Sequence, residues 1–457
     1  MQKMKNGKKV LSVCLSLAMA AGMLSTSAFA SWNVYGGSNN HNAVVTEAPT
    51  APDKSGLDGY IQLHCTGAGW DGVDNVPVLQ TVNGTTYAYV LYDGYGASGA
   101  LVAKIRCAEN GGSSIVWTTD PYGTEGTSLN AKSGFQLSTP YLDDKGTPND
   151  ASDDTLYVGT ISQYDDYEGG EWLTGTGSKV MALTGLDQNK PTVTNVLTGI
   201  NGQINTPITT DGTYLYFGTW PGGSNAGTYY QVKLSDYSVK TFTPDSYGFY
   251  WAGAVSDGTN VYFGSDNGLL YWRSIADFDT TGGVLDLTDV ASDAGNVRST
   301  VMLDDGYLYF TTQGGYLWCC SYDDGLTVEW HKKLGATSTS TPTKVGDRIY
   351  VGYYSGFNAG GVQCVSADGS SVKTVVEGDG FPVQSSIVVM GDGTGTDYLY
   401  FNTNAQKGAG YCYSFDGTTG SKVWGTTGDT YALGGMAIDN GYAVFGNDYN
   451  HLYVVHD

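Results

Sequence analysis

Basic residues are scarce in this chain: 22 of 457 residues are Lys or Arg against 45 Asp or Glu, and charged residues together reach only 15%. The first shortage excludes a surface for nucleic acid or anionic lipid, both of which need clustered cations. The second disfavours long solvent-facing helices. There is no Cys-x-x-Cys-His for covalent haem, no nucleophile elbow and no phosphate loop. The five histidines, His41, His64, His331, His451 and His456, show no metal-ligand spacing, so neither a catalytic residue nor a metal site is assigned. After residue 30 no stretch approaches the ~20 apolar residues of a membrane-spanning helix. What is plentiful is glycine (66), tyrosine (35) and aromatic residues in general (13%), the composition of many short strands joined by tight turns.

Lys3, Lys5, Lys8 and Lys9 precede an apolar run from Val10 to about Met23, and Ala28-Phe29-Ala30 stands before Ser31. This three-part layout is that of a secretory signal at 1–30, cleaved after Ala30, with one domain over 31–457. Cys14 lies inside the apolar run, so no lipid anchor is expected. Removing the four leader lysines from the 22 basic residues leaves 18 against 45 acidic ones, a net charge of −27. Such a surface suits solubility outside the cell. A secreted or surface-exposed monomer without nucleic-acid or membrane partners is expected.

One strand signature recurs eight times: Tyr87-Ala-Tyr-Val90, Leu156-Tyr-Val-Gly159, Leu215-Tyr-Phe-Gly218, Val261-Tyr-Phe-Gly264, Leu308-Tyr-Phe-Thr311, Ile349-Tyr-Val-Gly352, Leu399-Tyr-Phe-Asn402 and Ala443-Val-Phe-Gly446. These read as strands buried on both faces, with the trailing glycines opening a hairpin. Another strand, often introduced by Thr-Pro as at Thr139, Thr206 and Thr341, comes before many copies, and two more follow each. Four-stranded units repeated every 40 to 70 residues or so bury their faces by radial stacking. The last unit is one strand short, and Tyr60–Cys65 is an unpaired strand at the other end. The expectation is an all-β, eight-bladed propeller of antiparallel blades closed by that N-terminal strand, with seven blades if the Ala443 copy is an appendage.

Ser414-Phe-Asp416-Gly-Thr-Thr419-Gly420-Ser-Lys-Val-Trp424 resembles the Ala-x-Asp-x-x-Thr-Gly-Lys-x-x-Trp repeat of pyrroloquinoline-quinone-type propellers. That family contains quinoprotein dehydrogenases and non-catalytic relatives such as the outer-membrane assembly lipoprotein. Asp416, Thr419, Gly420 and Trp424 match in register, Trp117 and Trp330 keep the tryptophan, and Trp32 to His41 looks like the family's lead-in. The resemblance implies that Trp117, Trp330 and Trp424 dock blade on blade. It also implies, for the dehydrogenases, an axial quinone with a divalent cation such as calcium, for which no ligand residues can be placed here. Some family dehydrogenases set a vicinal disulfide over the quinone, but Cys319-Cys320 falls inside a strand, where consecutive side chains point to opposite faces. Cys319, Cys364 and Cys412 occupy one strand position in three successive units and read as small buried contact residues. A Cys65–Cys107 pair stays open.

The hairpin after the signature strand is lengthened in units one, two, three, six and seven. In a propeller this hairpin and the blade-to-blade connections open on one face, where a rigid scaffold presents binding loops. A ligand-binding face is therefore expected from Tyr164, Tyr167, Trp172, Trp220, Trp251, Tyr353 and Phe357, ringed by Asp165, Asp166, Glu168 and Glu171. The expected function is a non-catalytic scaffold for a protein or glycan at the bacterial cell surface, with no cofactor. The alternatives are a quinoprotein oxidoreductase, or a glycan-cleaving propeller with an acid/base pair from those four carboxylates.

Overall fold

The structure is a computed structural model. It describes residues 31–457 except 64–71, 95–98, 110, 121–137, 161–163, 169–170, 175 and 324, and for strand residues 93, 94, 99, 164–168, 171–174 and 176 the description stops at the backbone. Eight four-stranded antiparallel blades follow one another along the chain. Blade 1 is Val78–Val82, Thr85–Gly94, Gly99–Arg106 and Ser114–Thr118, and blade 2 is Tyr141–Asp143, Thr155–Gly159, Thr176–Thr184 and Thr192–Asn201. Blade 3 is Thr209–Thr210, Tyr214–Gly218, Tyr229–Lys233 and Val239–Phe242, and blade 4 is Val255–Ser256, Asn260–Gly264, Leu269–Ser274 and Gly282–Asp286. Blade 5 is Met302–Asp304, Tyr307–Thr312, Tyr316–Ser321 and Thr327–Lys333, and blade 6 is Thr343–Val345, Arg348–Ser355, Ala359–Ser366 and Val372–Asp379. Blade 7 is Val388–Met390, Asp397–Asn402, Gly410–Phe415 and Gly420–Gly425. Blade 8 has three strands from the C-terminus, Ala437–Asp439, Tyr442–Gly446 and His451–Val455, and takes its fourth from Ile61–Gln62, with Ile61 opposite Leu452. The Ala443 copy thus belongs to a full blade, and the N-terminal strand covers an edge that would otherwise offer unpaired backbone groups.

Every signature copy is the second strand of its blade, and its alternation sets the stacking. In blade 3, Leu215 and Phe217 pack with blade 2, whereas Tyr216 packs with blade 4. Blade 4 repeats this with Val261 and Phe263 facing back and Tyr262 facing forward, and blade 5 with Leu308, Phe310 and Tyr309. A strand period of two gives each blade two different faces, so a one-residue slip would put every tyrosine on the wrong neighbour. Buried phenols need partners. The Tyr216 hydroxyl donates to Asp211 (2.7 Å), that of Tyr262 to Asp257 (2.7 Å) and that of Tyr350 to Asp397 of the next blade (2.6 Å).

The glycines that end these strands do not open turns. Gly159, Gly218, Gly264, Gly352 and Gly446 are strand residues, and a Cβ on each would come within 3 Å of Ile204, Phe249, Val297, Val383 and Val73 respectively. Those five residues precede the first strand of the following blade, or of blade 1 in the case of Val73. The glycines therefore allow each entry connection to close down on the blade before it.

The N-terminal segment runs along the propeller axis. Carbonyls of Trp32, Asn33, Asn40 and Ala43 accept from Leu79, Leu142, Leu303 and Val389, one residue in each of the innermost strands of blades 1, 2, 5 and 7. Val44–Val45 adds a parallel strand to Val388–Met390. Asn42 exchanges bonds with the backbone of Lys344 in blade 6 (2.9 and 2.8 Å), and buried His41 sets its ring nitrogens against the carbonyls of Tyr35 (2.9 Å) and Ala254 (2.8 Å). The chain thereby plugs its own channel.

Candidate functional site

Above the plug, the eight entry connections converge on a cavity at the channel mouth. Asn75 and Val76 lead into blade 1, Thr139 into blade 2, Pro207 into blade 3, Trp251 into blade 4, Arg298 and Thr300 into blade 5, Thr339 into blade 6, Gln384 and Ser385 into blade 7, and Leu433 to Gly435 into blade 8; Tyr35 comes from the plug. Threonine hydroxyls tie neighbouring connections together. Val76 N–H donates to Thr139 Oγ1 (3.2 Å), Thr300 N–H to Thr341 Oγ1 (3.1 Å) and Thr339 Oγ1 to the Gln384 carbonyl (3.0 Å). This explains the threonines that the sequence places before the first strands.

On one side of the mouth stands an aromatic–ionic cluster. Trp220 meets Tyr250 edge-to-face at 5.2 Å, and Tyr250 meets Trp251 at 4.7 Å. The Arg298 guanidinium lies 4.5 Å from the Tyr250 ring centroid and binds the buried Asp266 carboxylate through Nε (2.7 Å) and Nη2 (2.6 Å). Trp220 Nε1 donates to the same carboxylate (3.0 Å). Burial opposes the charge on Arg298, but Asp266 outweighs it and the guanidinium pKa is raised. Trp251 has φ 59, a region costly for a bulky side chain, of order 1–3 kcal/mol. Its carbonyl accepts from Gly253 N–H (2.9 Å) and from Thr300 Oγ1 (3.3 Å), which holds that conformation.

The sequence-derived residues divide. Trp220 and Trp251 come together, and Phe357, in the corresponding hairpin of blade 6, is exposed and edge-on to Tyr431 at 5.5 Å. Tyr353 requires a correction, because the extra residues of blade 6 lengthen its strands instead of forming a loop. Tyr353 pairs with Gly361, is only 6% exposed, covers Gly335 and donates to Glu377 (3.2 Å), so it is a packing residue. Residues 164–168 and 171–174 form an added hairpin in blade 2, with Tyr167 opposite Trp172 and Glu168 opposite Glu171; Asp165 and Asp166 are in its first strand. The side chains of Tyr164, Asp165, Asp166, Tyr167, Glu168, Glu171 and Trp172 lie outside the described residues. Tyr250, Asp266, Arg298, Gln384 and Ser385 were not singled out. Each is a single residue in a connection or turn, with no repeat or motif to mark it.

The docking residues sit between blades. Trp117 donates to the Leu186 carbonyl of blade 2 (3.4 Å), and the Trp330 ring covers Gly369 of blade 6. Trp424 donates to Pro49 (2.8 Å), part of the N-terminal segment. Asp416 Oδ1 accepts from the N–H groups of Thr418 (2.8 Å) and Thr419 (2.7 Å), which lower its pKa, and Gly420 abuts the Val375 carbonyl of blade 6. Cys319, Cys364 and Cys412 each pair across the ladder with a signature tyrosine, Tyr309, Tyr350 and Tyr400. Cys319 packs with blade 6 and Cys320 with blade 4. Both are free, as is Cys107; Cys65 lies outside the described residues. Burial pushes the Cys107 and Cys319 thiols up to about 12, which disfavours the thiolate form.

A fused-ring quinone with its divalent cation would need a slot on the axis and several oxygen ligands. The cavity at the mouth is about 60 Å³, room for a few waters, and Asp74 is the one carboxylate among the described residues lining it. No three His, Cys, Asp or Glu side chains group as metal ligands among the described residues. The residues at the mouth do not fit that pair.

No family model matches the sequence, and no curated protein matches it. Solved structures do share the fold. BamB from Moraxella catarrhalis is 13% identical with a TM-score of 0.52, over 88% of this chain and 97% of that one. A europium-containing methanol dehydrogenase is 12% identical with a TM-score of 0.58, over 91% and 89%. The quinohemoprotein alcohol dehydrogenase from Comamonas testosteroni is 11% identical with a TM-score of 0.57, over 91% and 76%. The chain shares the eight-bladed propeller architecture with them; at such identities the likeness concerns the fold alone.

Proposed function

We propose that this protein is an exported, non-catalytic propeller that binds a protein or glycan of the bacterial cell surface at its channel mouth, without a cofactor. The observation that carries the reading is the Trp220–Tyr250–Trp251 cluster, braced by Asp266 and Arg298 beside the cavity at the channel mouth. Rigid aromatics next to a concave site supply contact area at little entropic cost. The leader-like N-terminus and the acidic composition support export.

Native cell-envelope material offered to the wild type and to Trp251→Ala tests the reading, with a glycan array in parallel. Ligand retained by the wild type and lost by the variant supports it. Equal retention overturns it. Dye reduction after incubation with the quinone and calcium would instead establish the oxidoreductase alternative.

A further inference from the structure

We infer that the mouth takes the end of an uncharged glycan chain, one terminal sugar unit entering end-on; the inference rests on the binding role proposed for the same site. The first support is shape. Tyr35 contributes to the cavity lining, its hydroxyl lies 3.0 Å from Thr341 Oγ1, and the segment carrying it is bonded to the innermost strands of blades 1, 2, 5 and 7. The cavity is therefore blind. A polymer cannot thread it, and a cavity of about 60 Å³ admits the edge of one ring, not a run of units.

The second support is chemistry. Trp251 offers an apolar face, and around it stand a guanidinium (Arg298), a carboxylate (Asp74), an amide (Gln384) and a hydroxyl (Ser385). Donors and acceptors gathered on so small a wall match vicinal hydroxyl groups, each of which both donates and accepts. An anion would meet Asp74 and a net charge of −23 over the whole chain; a neutral sugar does not meet that repulsion.

The third support is an unfilled bond. Ser385 Oγ is screened from solvent and has no hydrogen-bond partner among the described residues, although Ser385 lines the cavity. Orphaned buried hydroxyls are rare and call for a partner. Arg298 likewise commits Nε and Nη2 to Asp266, and its Nη1 has no bond among the described residues.

The test is an array of linear neutral oligosaccharides probed with the full mature chain, followed by titration of each hit. Hits should share a terminal unit, the free monosaccharide of that unit should compete, and a ring-closed oligosaccharide of the same linkage, having no end, should not bind. Ser385→Ala removes no bond within the described protein, so it should leave melting unchanged and weaken binding about fivefold. Trp251→Ala should weaken it about tenfold or more; if that variant does not fold, Trp251→Gly, suited to positive φ, replaces it. A blank array, hits defined by internal linkage, or equal binding of the ring-closed sugar overturns the inference. So does binding untouched by both variants. A protein ligand lost in Trp251→Ala with a blank array overturns the sugar assignment and leaves the binding role standing; binding indifferent to Trp251 removes both.

Discussion

The two ends of the channel are made by the same eight blades and finished in opposite ways. At the plugged end, the chain's own residues 32–45 meet the inner strands through backbone bonds, and His41 and Asn42 spend their side chains on carbonyl and amide groups. At the mouth, a tryptophan is held at positive φ and, among the described residues, a serine hydroxyl has no partner and one arm of an arginine is uncommitted. Strain and an unmatched polar atom occur in the plug too, at His41 (φ 60) and at Trp32 Nε1 among the described residues, but those at the mouth belong to residues that line a cavity, where binding surfaces are built.

The largest expected effect comes from breaking the plugged end. Deleting residues 31–45 removes bonds to most of the blades at once, and thermal unfolding should show a fall in Tm of more than about 10 °C or loss of the folded state. Next comes Trp424→Ala, which empties a buried site that ties blade 7 to the N-terminal segment and should cost about 3–5 kcal/mol in denaturant unfolding. Trp251→Gly at the mouth should cost under about 1 kcal/mol, because glycine relieves the positive-φ strain as the ring's contacts are removed. Trp220→Ala should fall between them, since its indole also satisfies buried Asp266.

A smaller effect concerns blade 1, flanked by two buried carboxylates. Burial first of all holds Asp154 and Asp439 up to about 6, although hydrogen bonds from Gln80 and Thr81 pull the other way. A folded-state pKa above the unfolded value means that the protonated form is favoured by folding. The contribution is fully present below about 4 and is lost as pH rises through about 6. Tm should therefore decline across that window. Asp154→Asn, which keeps the acceptor for Gln80 (2.5 Å), should flatten the decline and raise Tm at neutral pH by about 1–3 °C. Smallest of all, Tyr353→Phe removes one bond to Glu377 and should cost no more than about 1 kcal/mol, with binding unchanged.

Much of the architecture was legible in the sequence because the propeller repeats it. Eight copies of one strand fix eight blades, and a missing last strand beside a spare first one fixes the closure at Ile61–Gln62. The glycines after the signature were legible as a pattern but not in their purpose. Close approach by a residue such as Phe249 or Val297 is a tertiary fact. The plug was equally hidden, since a segment that pairs with many blades matches none of them in pattern. At the site, Trp220 and Trp251 could be found from lengthened loops and aromatic content, whereas Tyr353 could not be told from a loop residue until its strand was seen to extend. Arg298 and Asp266 carry no local signal. They become a unit only when a hairpin turn of blade 4 meets the connection into blade 5.

Hydroxyl-radical footprinting of the mature chain, alone and with its native cell-envelope ligand fraction, tests the contrast between the two ends most directly. The account predicts protection at Trp251, with Trp220 and Tyr250 following it, and no change at Trp32 in the plug. Protection confined to the outer strands or to the plugged end, with Trp251 as reactive as before, would contradict it.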